Sequence, residues 1–298
     1  MTVSDRFMTL LYSIQPSDRE LAQYDSHRST VATRLATVFP GTTVDVIGSH
    51  ERGSAISGVS DLDLLARLPR EHLVRGDHLK TSDTVIRNVK DELSRRYDRT
   101  AVGKDGVAIA IGFGGGSYSV DVVPASWTRM ADIGPHGAKR PVYYIPSNDG
   151  RWLETAPKAH AEYIAQADAR SGGKLKGVAQ LLKFWTTTRE ARVPISSFHI
   201  EMVLAQSDVC AGVKSYSTTV TQALQLLARR ELAALQDPLG ISGYIDACST
   251  PAKRDQALRT VGVSAERAGA AYLHEQNGAL THAYATWDSV FNGRFPRR

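Results

Sequence analysis

GSHERGSAISGVSDLDLL, residues 48–65, is the stretch of sequence that decides the fold. The residues before it, 43–47, are rich in β-branched side chains and predict a strand, and Gly48-Ser49 then begins a predicted helical turn. Because glycine has no side chain, the backbone there can approach a phosphate closely, and the serine hydroxyl and nearby N–H groups can donate to its oxygens. Gly48 and Ser49 are therefore candidate phosphate-binding residues.

Two acidic residues stand close together near the end of this stretch. Asp61 and Asp63 are separated by one residue on a predicted strand whose apolar run covers 62–68. Side chains alternate between the faces of a strand, so both carboxylates are expected on the same face. Two like charges there destabilise the sheet unless a cation lies between them, which makes both residues candidate metal ligands. The buried side of the strand is assigned to three leucines, Leu62, Leu64 and Leu65.

A third carboxylate, Asp121, lies alone among β-branched residues on a strand predicted over 118–123. We expect this strand to be adjacent to the one that carries Asp63. Magnesium prefers carboxylate and phosphate oxygens, and three converging acids can hold two such ions. One ion would orient a triphosphate, and the other would lower the pKa of an attacking hydroxyl. The alternative is that these acids are solvated residues at a strand edge.

The rest of the chain predicts a mixed sheet with helices, followed by an almost wholly helical part. Phe7 to Ile14 shows helical spacing, and Ser17 with Glu20 forms a capping-box pattern that opens a second helix. Leu21, Tyr24, Val31, Leu35 and Val38 are predicted to form the apolar face of this second helix. Further helices are predicted over 82–97, 157–170, 174–190, 196–211, 216–236 and 264–291, and further strands over 107–113 and 142–145.

Composition excludes several classes of protein. The 298 residues are 42% apolar and 22% charged, which argues against disorder, and the net charge of +5 is compatible with a protein that handles phosphates. Cys210 and Cys248 are the cysteines of the chain, and they form neither a disulfide framework nor a zinc ribbon. Because the sequence shows no signal peptide or membrane-crossing stretch, we expect a cytoplasmic protein.

The order of these motifs resembles the polymerase-β-like nucleotidyltransferase superfamily. GSHERGSAISGVSDLDLL followed by VDVVP is most similar to its cGAS and oligoadenylate synthetase branch, notably the bacterial cGAS/DncV-like enzymes (CD-NTases), with Ser54 where threonine is commoner. The resemblance implies an α+β fold in which a catalytic lobe with a mixed sheet, residues 1–156, precedes an all-helical, oligoadenylate-synthetase-like lobe, residues 157–298. The N-terminal helices could pack on the helical lobe, and the active site would lie in the cleft between the lobes.

The resemblance extends into the helical part. Leu181 to Trp185 resembles the family's spine helix, which implies that Lys183 reaches the triphosphate. By the same resemblance Ser197 would contact phosphate and Phe198 would stack on a base. Without the resemblance, Lys183 could extend to solvent, Phe198 could be core, and Ser196 or Ser197 could be an N-cap. His160 and His199 are expected to satisfy local hydrogen bonds rather than bind metal.

The activity that the resemblance implies is the joining of nucleoside triphosphates, such as ATP and GTP, into a cyclic di- or oligonucleotide with release of pyrophosphate. Asp61, Asp63 and Asp121 would bind two Mg2+ ions, for which Mn2+ could substitute. The product would act as a second messenger on an effector protein in antiphage (CBASS-type) signalling. Two alternatives remain: nucleotidyl transfer to an RNA or tRNA 3′ end, a small molecule or a protein, and a silent nucleotide- or RNA-binding module.

Two departures from the family limit the partners that we expect. The chain has no cysteine and histidine cluster like the zinc insertion with which cGAS grips DNA, so we expect no zinc-mediated DNA sensing. The sequence ends in Arg297-Arg298 rather than the small residues through which bacterial relatives are conjugated to targets, which argues against such conjugation.

Overall fold

The computed structural model describes residues 2–97, 100–133, 137–147 and 149–296, so Arg297-Arg298 lies outside the described residues. In chain order the elements are α1 (Val3–Ile14), α2 (Asp18–Val38), β1 (Thr43–Val46), α3 (Gly48–Arg52), β2 (Leu62–Arg67), α4 (Arg70–Leu73), β3 (Val74–Arg75), β4 (His78–Leu79), α5 (Ser82–Arg96), β5 (Ala101–Asp105), β6 (Ala108–Phe113), β7 (Tyr118–Asp132), β8 (Lys139–Pro146), β9 (Trp152–Thr155), α6 (Pro157–Arg170), α7 (Lys174–Thr187), α8 (Ser197–Gln206), α9 (Tyr216–Arg229), β10 (Leu235–Gln236), β11 (Tyr244–Ile245), α10 (Pro251–Gln276) and α11 (Leu280–Val290).

The chain divides into two compact units, which we call the sheet unit and the helical unit. The sheet unit comprises Pro16–Glu162 and Leu239–Ser242, and the helical unit comprises Met1–Gln15, Tyr163–Pro238 and Gly243–Arg298. The predicted division between residues 156 and 157 stays a prediction.

The sheet unit is built on a mixed sheet with the strand order β1-β2-β7-β6-β5, and β8 and β9 continue from the far half of β7. β2 and β7 run parallel, whereas β1 with β2, β6 with β7 and β7 with β8 are antiparallel. The predicted adjacency of the strands that carry Asp63 and Asp121 is thus confirmed. A short 3-10 helix over Gly114–Gly116 connects β6 to β7, and the two strands form an antiparallel hairpin.

One face of this sheet is covered by α2 and α5, whose apolar sides form the main core of the unit. Tyr24, Val31 and Leu35 of α2 are buried there together with Val85, Ile86, Val89 and Leu93 of α5. Leu62 and Leu64 of β2 and Val120 and Val122 of β7 meet them from the sheet. The helix ends are defined locally, because the Ser17 hydroxyl accepts from the Glu20 N–H and the Thr81 hydroxyl accepts from the Thr84 N–H.

Three predictions about side-chain placement in this unit are wrong. Leu65 is buried, but it lies on the opposite sheet face from Leu64, where it packs in a separate cluster with Val123 and Tyr143. Leu21 of α2 is 45% exposed rather than part of the apolar face. The Glu20 carboxylate does not complete a capping box, because it accepts hydrogen bonds from residues 57 and 58 instead.

The helical unit has its own aromatic core. Phe7 of α1 makes edge-to-face contacts with Trp287, Phe291 and Phe295, all of which are buried. The helix predicted over 264–291 is in fact two helices, α10 and α11. α10 begins earlier than predicted because Pro251 occupies its favourable first turn, and Gly278, with φ of +72°, lies in the break before α11.

Within the described ranges, none of the helices combines the length and the apolar character that crossing a bilayer requires.

Two leucines of α2 provide a matched test of this core. Leu35 is fully buried and Leu21 is 45% exposed, so Leu35→Ala should lower the free energy of unfolding by about 2–5 kcal/mol. Leu21→Ala should change it by no more than about 0.5 kcal/mol. Urea unfolding followed by circular dichroism measures both, and equal losses would show that α2 does not face the sheet as described.

Candidate active site

The centre of the site is a pair of carboxylates on neighbouring strands. Asp63 of β2 is paired with Asp121 of β7 in parallel register, and both residues are half-buried. Each alternates with core residues of its own strand, so both lie on the sheet face opposite α2 and α5. Asp61 immediately precedes β2 and is exposed. The strands thus place Asp63 and Asp121 side by side, and Asp61 lies just before the start of β2, the strand that carries Asp63.

Paired residues on neighbouring strands are only about 5 Å apart, so the two carboxylates repel each other unless a cation or a proton lies between them. Their oxygens are of the type that Mg2+ prefers. In the described part of the chain, no group of three or more histidine, cysteine, aspartate or glutamate side chains is arranged as a complete metal site. An ion held here would therefore also need oxygens from substrate or water.

The turn that begins α3 packs directly against Asp63. Gly48 has a φ of +69°, and a Cβ atom built on it would lie 1.8 Å from Asp63 Oδ2 and 2.6 Å from its Cγ. The Ile47 N–H donates to the Asp63 carbonyl at 2.9 Å, which fixes the start of the turn to β2. Ser49 follows and is buried. Only glycine leaves space here, so the backbone of the Gly-Ser turn contacts the carboxylate itself.

Sequence reasoning missed the residues that support the segment before Asp61. The Tyr24 hydroxyl donates to the Ser60 carbonyl at 2.8 Å, and Glu20 accepts from Ser57 and Gly58. Burial, followed by the nearby charges of Glu20 and Asp61, raises the pKa of Tyr24 to about 12. The sequence pattern predicts a place on the apolar face for Tyr24 and a capping role for Glu20, and no local pattern distinguishes such residues from ordinary helix residues.

Lys183, Ser197 and Phe198 belong to the helical unit, and their roles stay predictions. Lys183 lies in α7 and is 6% exposed. Ser196, not Ser197, is the N-cap of α8, since its hydroxyl accepts from the His199 N–H at 3.4 Å. Ser197 and Phe198 are both half-buried at the first turn of this helix, so Phe198 is not a fully buried core residue.

The helix that carries Lys183 starts in an unusual way. Its N-cap, Gly173, has no side chain, and neighbouring residues supply the missing acceptors. The Asp168 carboxylate accepts from the Lys176 N–H at 3.0 Å, and the Ser171 hydroxyl accepts from the N–H groups of Lys174 and Leu175. The start of α7 is therefore fixed by side chains that precede it.

The two histidines singled out from the sequence are both buried. His199 Nδ1 lies 3.0 Å from the Ile245 carbonyl oxygen, which confirms the predicted local hydrogen bond. Burial is the main cause that lowers the pKa of His199 below its ordinary value. His160 is 3% exposed, and its role stays a prediction.

The sequence of this chain matches a known protein family. The model of the Second Messenger Oligonucleotide or Dinucleotide Synthetase domain (SMODS) matches residues 1–168. A protein of Bacillus cereus (strain VD146), named a probable cyclic nucleotide synthase, is 23% identical over 295 residues, which cover 89% of this chain and 86% of that protein.

Two solved structures have a similar fold. CdnC of E. coli MS115-1, solved with ATP, is 16% identical with a TM-score of 0.71, and the match covers 98% of each chain. The Vibrio cholerae DncV cyclic AMP-GMP synthase, solved with a linear intermediate, is 11% identical with a TM-score of 0.73, and the match covers 97% of this chain and 94% of that one. The predicted α+β architecture, with a mixed sheet and a helical C-terminal part, is confirmed.

The packing of Gly48 against Asp63 can be tested with a second glycine as control. Gly48→Ala should lower the free energy of unfolding by about 3 kcal/mol or more, because the new methyl group would displace the Asp63 carboxylate. Gly76 has a similar φ of +61° with no atom within 4 Å, so Gly76→Ala should cost only about 1 kcal/mol. Equal costs in denaturant unfolding would show that the turn does not touch Asp63.

Proposed function

The chain belongs to the family of second messenger oligonucleotide or dinucleotide synthetase domains, and we propose that it uses Asp61, Asp63 and Asp121 to join nucleoside triphosphates into a cyclic di- or oligonucleotide. It is a nucleotidyltransferase of this family, as predicted from residues 48–65 and Asp121. The observation that carries the residue assignment is the parallel pairing of Asp63 with Asp121, with the Gly48 turn against the Asp63 carboxylate.

Metal dependence is general in this family, and the donor set fits Mg2+. Asp63 and Asp121 offer paired carboxylates, and exposed Asp61 stands one residue before Leu62 at the start of β2. All three carboxylates would bind Mg2+, and the site would hold two ions. Asp61 and Asp63 would contact both ions, and Mn2+ could substitute for Mg2+. Bound metal supplies charge neutralisation at the triphosphate and lowers the pKa of the attacking hydroxyl.

The residues themselves bind and orient the substrate. Gly48 and Ser49 would hold the phosphates of the donor nucleotide through backbone N–H groups and the serine hydroxyl. A ribose hydroxyl of the acceptor would attack the α-phosphorus of the donor, and pyrophosphate would leave. Asp121, which faces Asp63 across the strand pair, would orient this hydroxyl for attack. Catalysis would thus depend mainly on positioning.

The helical unit would contribute the remaining contacts with the nucleotide. Lys183, a buried residue of α7, would pair with the triphosphate, as the resemblance to the family's spine helix implies. Ser197 would bind phosphate and half-buried Phe198 would stack on a base. The product, once released, would act on a separate effector protein in antiphage signalling.

The activity can be tested by incubating the purified protein with ATP, GTP, CTP and UTP and with Mg2+ or Mn2+. Phosphatase is then added, and mass spectrometry identifies the products. We expect a phosphatase-resistant cyclic di- or oligonucleotide. Asp63→Asn and Asp121→Asn should each lower the rate at least about a hundredfold, because they remove charge at the reacting phosphate. Asp25→Asn is the control, since Asp25 is a mostly exposed residue of α2.

The outcomes separate the alternatives. Linear or RNA-linked products that also require Asp63 would show that the chain transfers nucleotides to another acceptor. Full activity in Asp63→Asn or Asp121→Asn would overturn the assignment of the catalytic carboxylates.

Lys183 gives a separate test of substrate binding. Lys183→Met keeps an unbranched side chain that is one atom shorter and removes its charge, so it should raise the KM for the triphosphate about ten- to a hundredfold, the scale of a charged hydrogen bond. Lys176→Met, in the same helix but about one-third exposed, should leave KM nearly unchanged. An unchanged KM in Lys183→Met at normal stability would show that Lys183 is only structural.

A further inference from the structure

The first turns of α2 are hydrogen-bonded to the segment that leads into Asp61. The two carboxylate oxygens of Glu20 accept from the Ser57 hydroxyl at 2.7 Å and from the Gly58 N–H at 3.1 Å. The Tyr24 hydroxyl donates to the Ser60 carbonyl at 2.8 Å. Glu20 and Tyr24 are one helical turn apart, so their side chains project from the same side of α2.

The segment that they hold, residues 56–60, is itself a closed turn. The Ile56 N–H donates to the Ser60 hydroxyl at 2.9 Å, and the Ser60 N–H donates back to the Ile56 carbonyl at 3.1 Å. Gly58 lies at the tip with a φ of +65° and is exposed. Because this turn is internally bonded, contacts at its tip and at its end constrain it as one body.

Tyr24 is well suited to hold such a turn in a fixed position. Its side chain is 5% exposed, and its ring packs edge-on against His50 at 4.6 Å and Tyr118 at 5.4 Å between ring centroids. His50 belongs to the Gly-Ser turn of α3, and Tyr118 begins the strand that carries Asp121. A tyrosine hydroxyl is protonated at neutral pH, so Tyr24 is a donor there, and burial raises its pKa further, to about 12.

The 56–60 turn affects the position of Asp61 more than the position of Asp63. The β2–β7 pairing begins at Leu62, so Asp63 is held on both sides within the ladder and Asp61 lies just outside it. Asp61 directly follows Ser60, whose carbonyl is the acceptor for Tyr24.

We propose that Glu20 and Tyr24 are positioning residues that hold the 56–60 turn and thereby set the position of the Asp61 carboxylate for metal binding; this inference rests on the proposed function. Neither residue would touch the substrate or the metal. Their effect would be on the affinity of the site for its divalent cation and on the order of the turn, rather than on the chemistry of Asp63 and Asp121.

Two variants remove these contacts separately. Tyr24→Phe deletes one hydroxyl and leaves the ring packing in place, and Glu20→Ala deletes both acceptors for the tip of the turn. Tyr97→Phe is the control for the first, because the buried Tyr97 hydroxyl has no hydrogen-bond partner among the described residues. Asp25→Ala is the control for the second, because it removes a carboxylate of α2 that pairs only locally, with Arg28.

The first readout needs no activity. Hydrogen–deuterium exchange followed by mass spectrometry should show faster exchange in a peptide that covers residues 55–61 for Tyr24→Phe and Glu20→Ala, and not for the controls. The second readout is Mn2+ binding in the presence of a non-hydrolysable ATP analogue, measured by the electron paramagnetic resonance signal of free Mn2+. Each variant should raise the dissociation constant about five- to tenfold, the scale of a lost hydrogen bond.

The third readout is product formation across a range of metal concentrations. At saturating Mg2+, the kcat of both variants should be close to that of the wild type. At limiting Mg2+, the loss of activity in the double variant should be smaller than the sum of the losses in the two single variants, because both residues hold the same turn.

Unchanged exchange and unchanged Mn2+ affinity in both variants would overturn the inference. So would a loss of activity that saturating metal does not restore. If the wild-type protein formed no cyclic product but the exchange and Mn2+ results were as expected, the proposed function would fail while the positioning role stood.

Discussion

The placement of two carboxylates side by side on adjacent parallel strands is the constraint on which the rest of this structure depends. Asp63 and Asp121 share one face of the sheet, and the residues that flank them on their strands, Leu62, Leu64, Val120 and Val122, are buried in the core on the other face. Burying like charges under an apolar layer is unfavourable, so the main core forms on the opposite face, and the apolar residues Leu65 and Val123 on the face of the carboxylates belong to a smaller, separate cluster. Because like charges repel, the same pair is a candidate site for a cation.

The helix α2 links this constraint to the stability of the unit. Tyr24, Val31 and Leu35 bury one side of the helix against the sheet. The polar ends of its first turns, Glu20 and the Tyr24 hydroxyl, contact the turn before Asp61. The same packing that stabilises the sheet unit therefore determines where the 56–60 turn lies. A shift of α2 would also shift this turn and Asp61, which follows it.

Close contacts between backbone and side chain are used in a comparable way at the start of α3. Gly48 leaves no room for a Cβ beside Asp63, and the Ile47 N–H is bonded to the Asp63 carbonyl. The turn is thus fixed to β2 directly beside the carboxylate. In the helical unit, Asp168 and Ser171 perform a similar task for α7, because they replace the cap that Gly173 cannot provide.

The sequence by itself determined the elements whose signal is local. Periodicity, capping and composition over a few residues predict the strands at 43–47 and 62–68 and the helix after Ser17. The same local patterns single out the acidic residues at positions 61, 63 and 121. The resemblance to the nucleotidyltransferase family rests on the same short motifs, and it is confirmed for residues 1–168. The sequence patterns do not predict the short strands β5 and β9, although each pairs with a strand next to it in the chain. β5 contains a glycine and two charged residues within Ala101–Asp105, and β9 is only four residues long, so neither shows a clear strand pattern.

Only the tertiary structure decided which partner each side chain has. Glu20 fits a capping box as well as any glutamate three residues after a serine, yet the 56–60 turn competes successfully for its carboxylate. Strand alternation already places Leu65 on the face opposite Leu64, but only the tertiary structure shows that Tyr143 and Val123 bury it there. The physical reason is the same in both cases: hydrogen bonds and packing depend on distances in space, and a sequence pattern specifies those distances only for residues that are near one another along the chain.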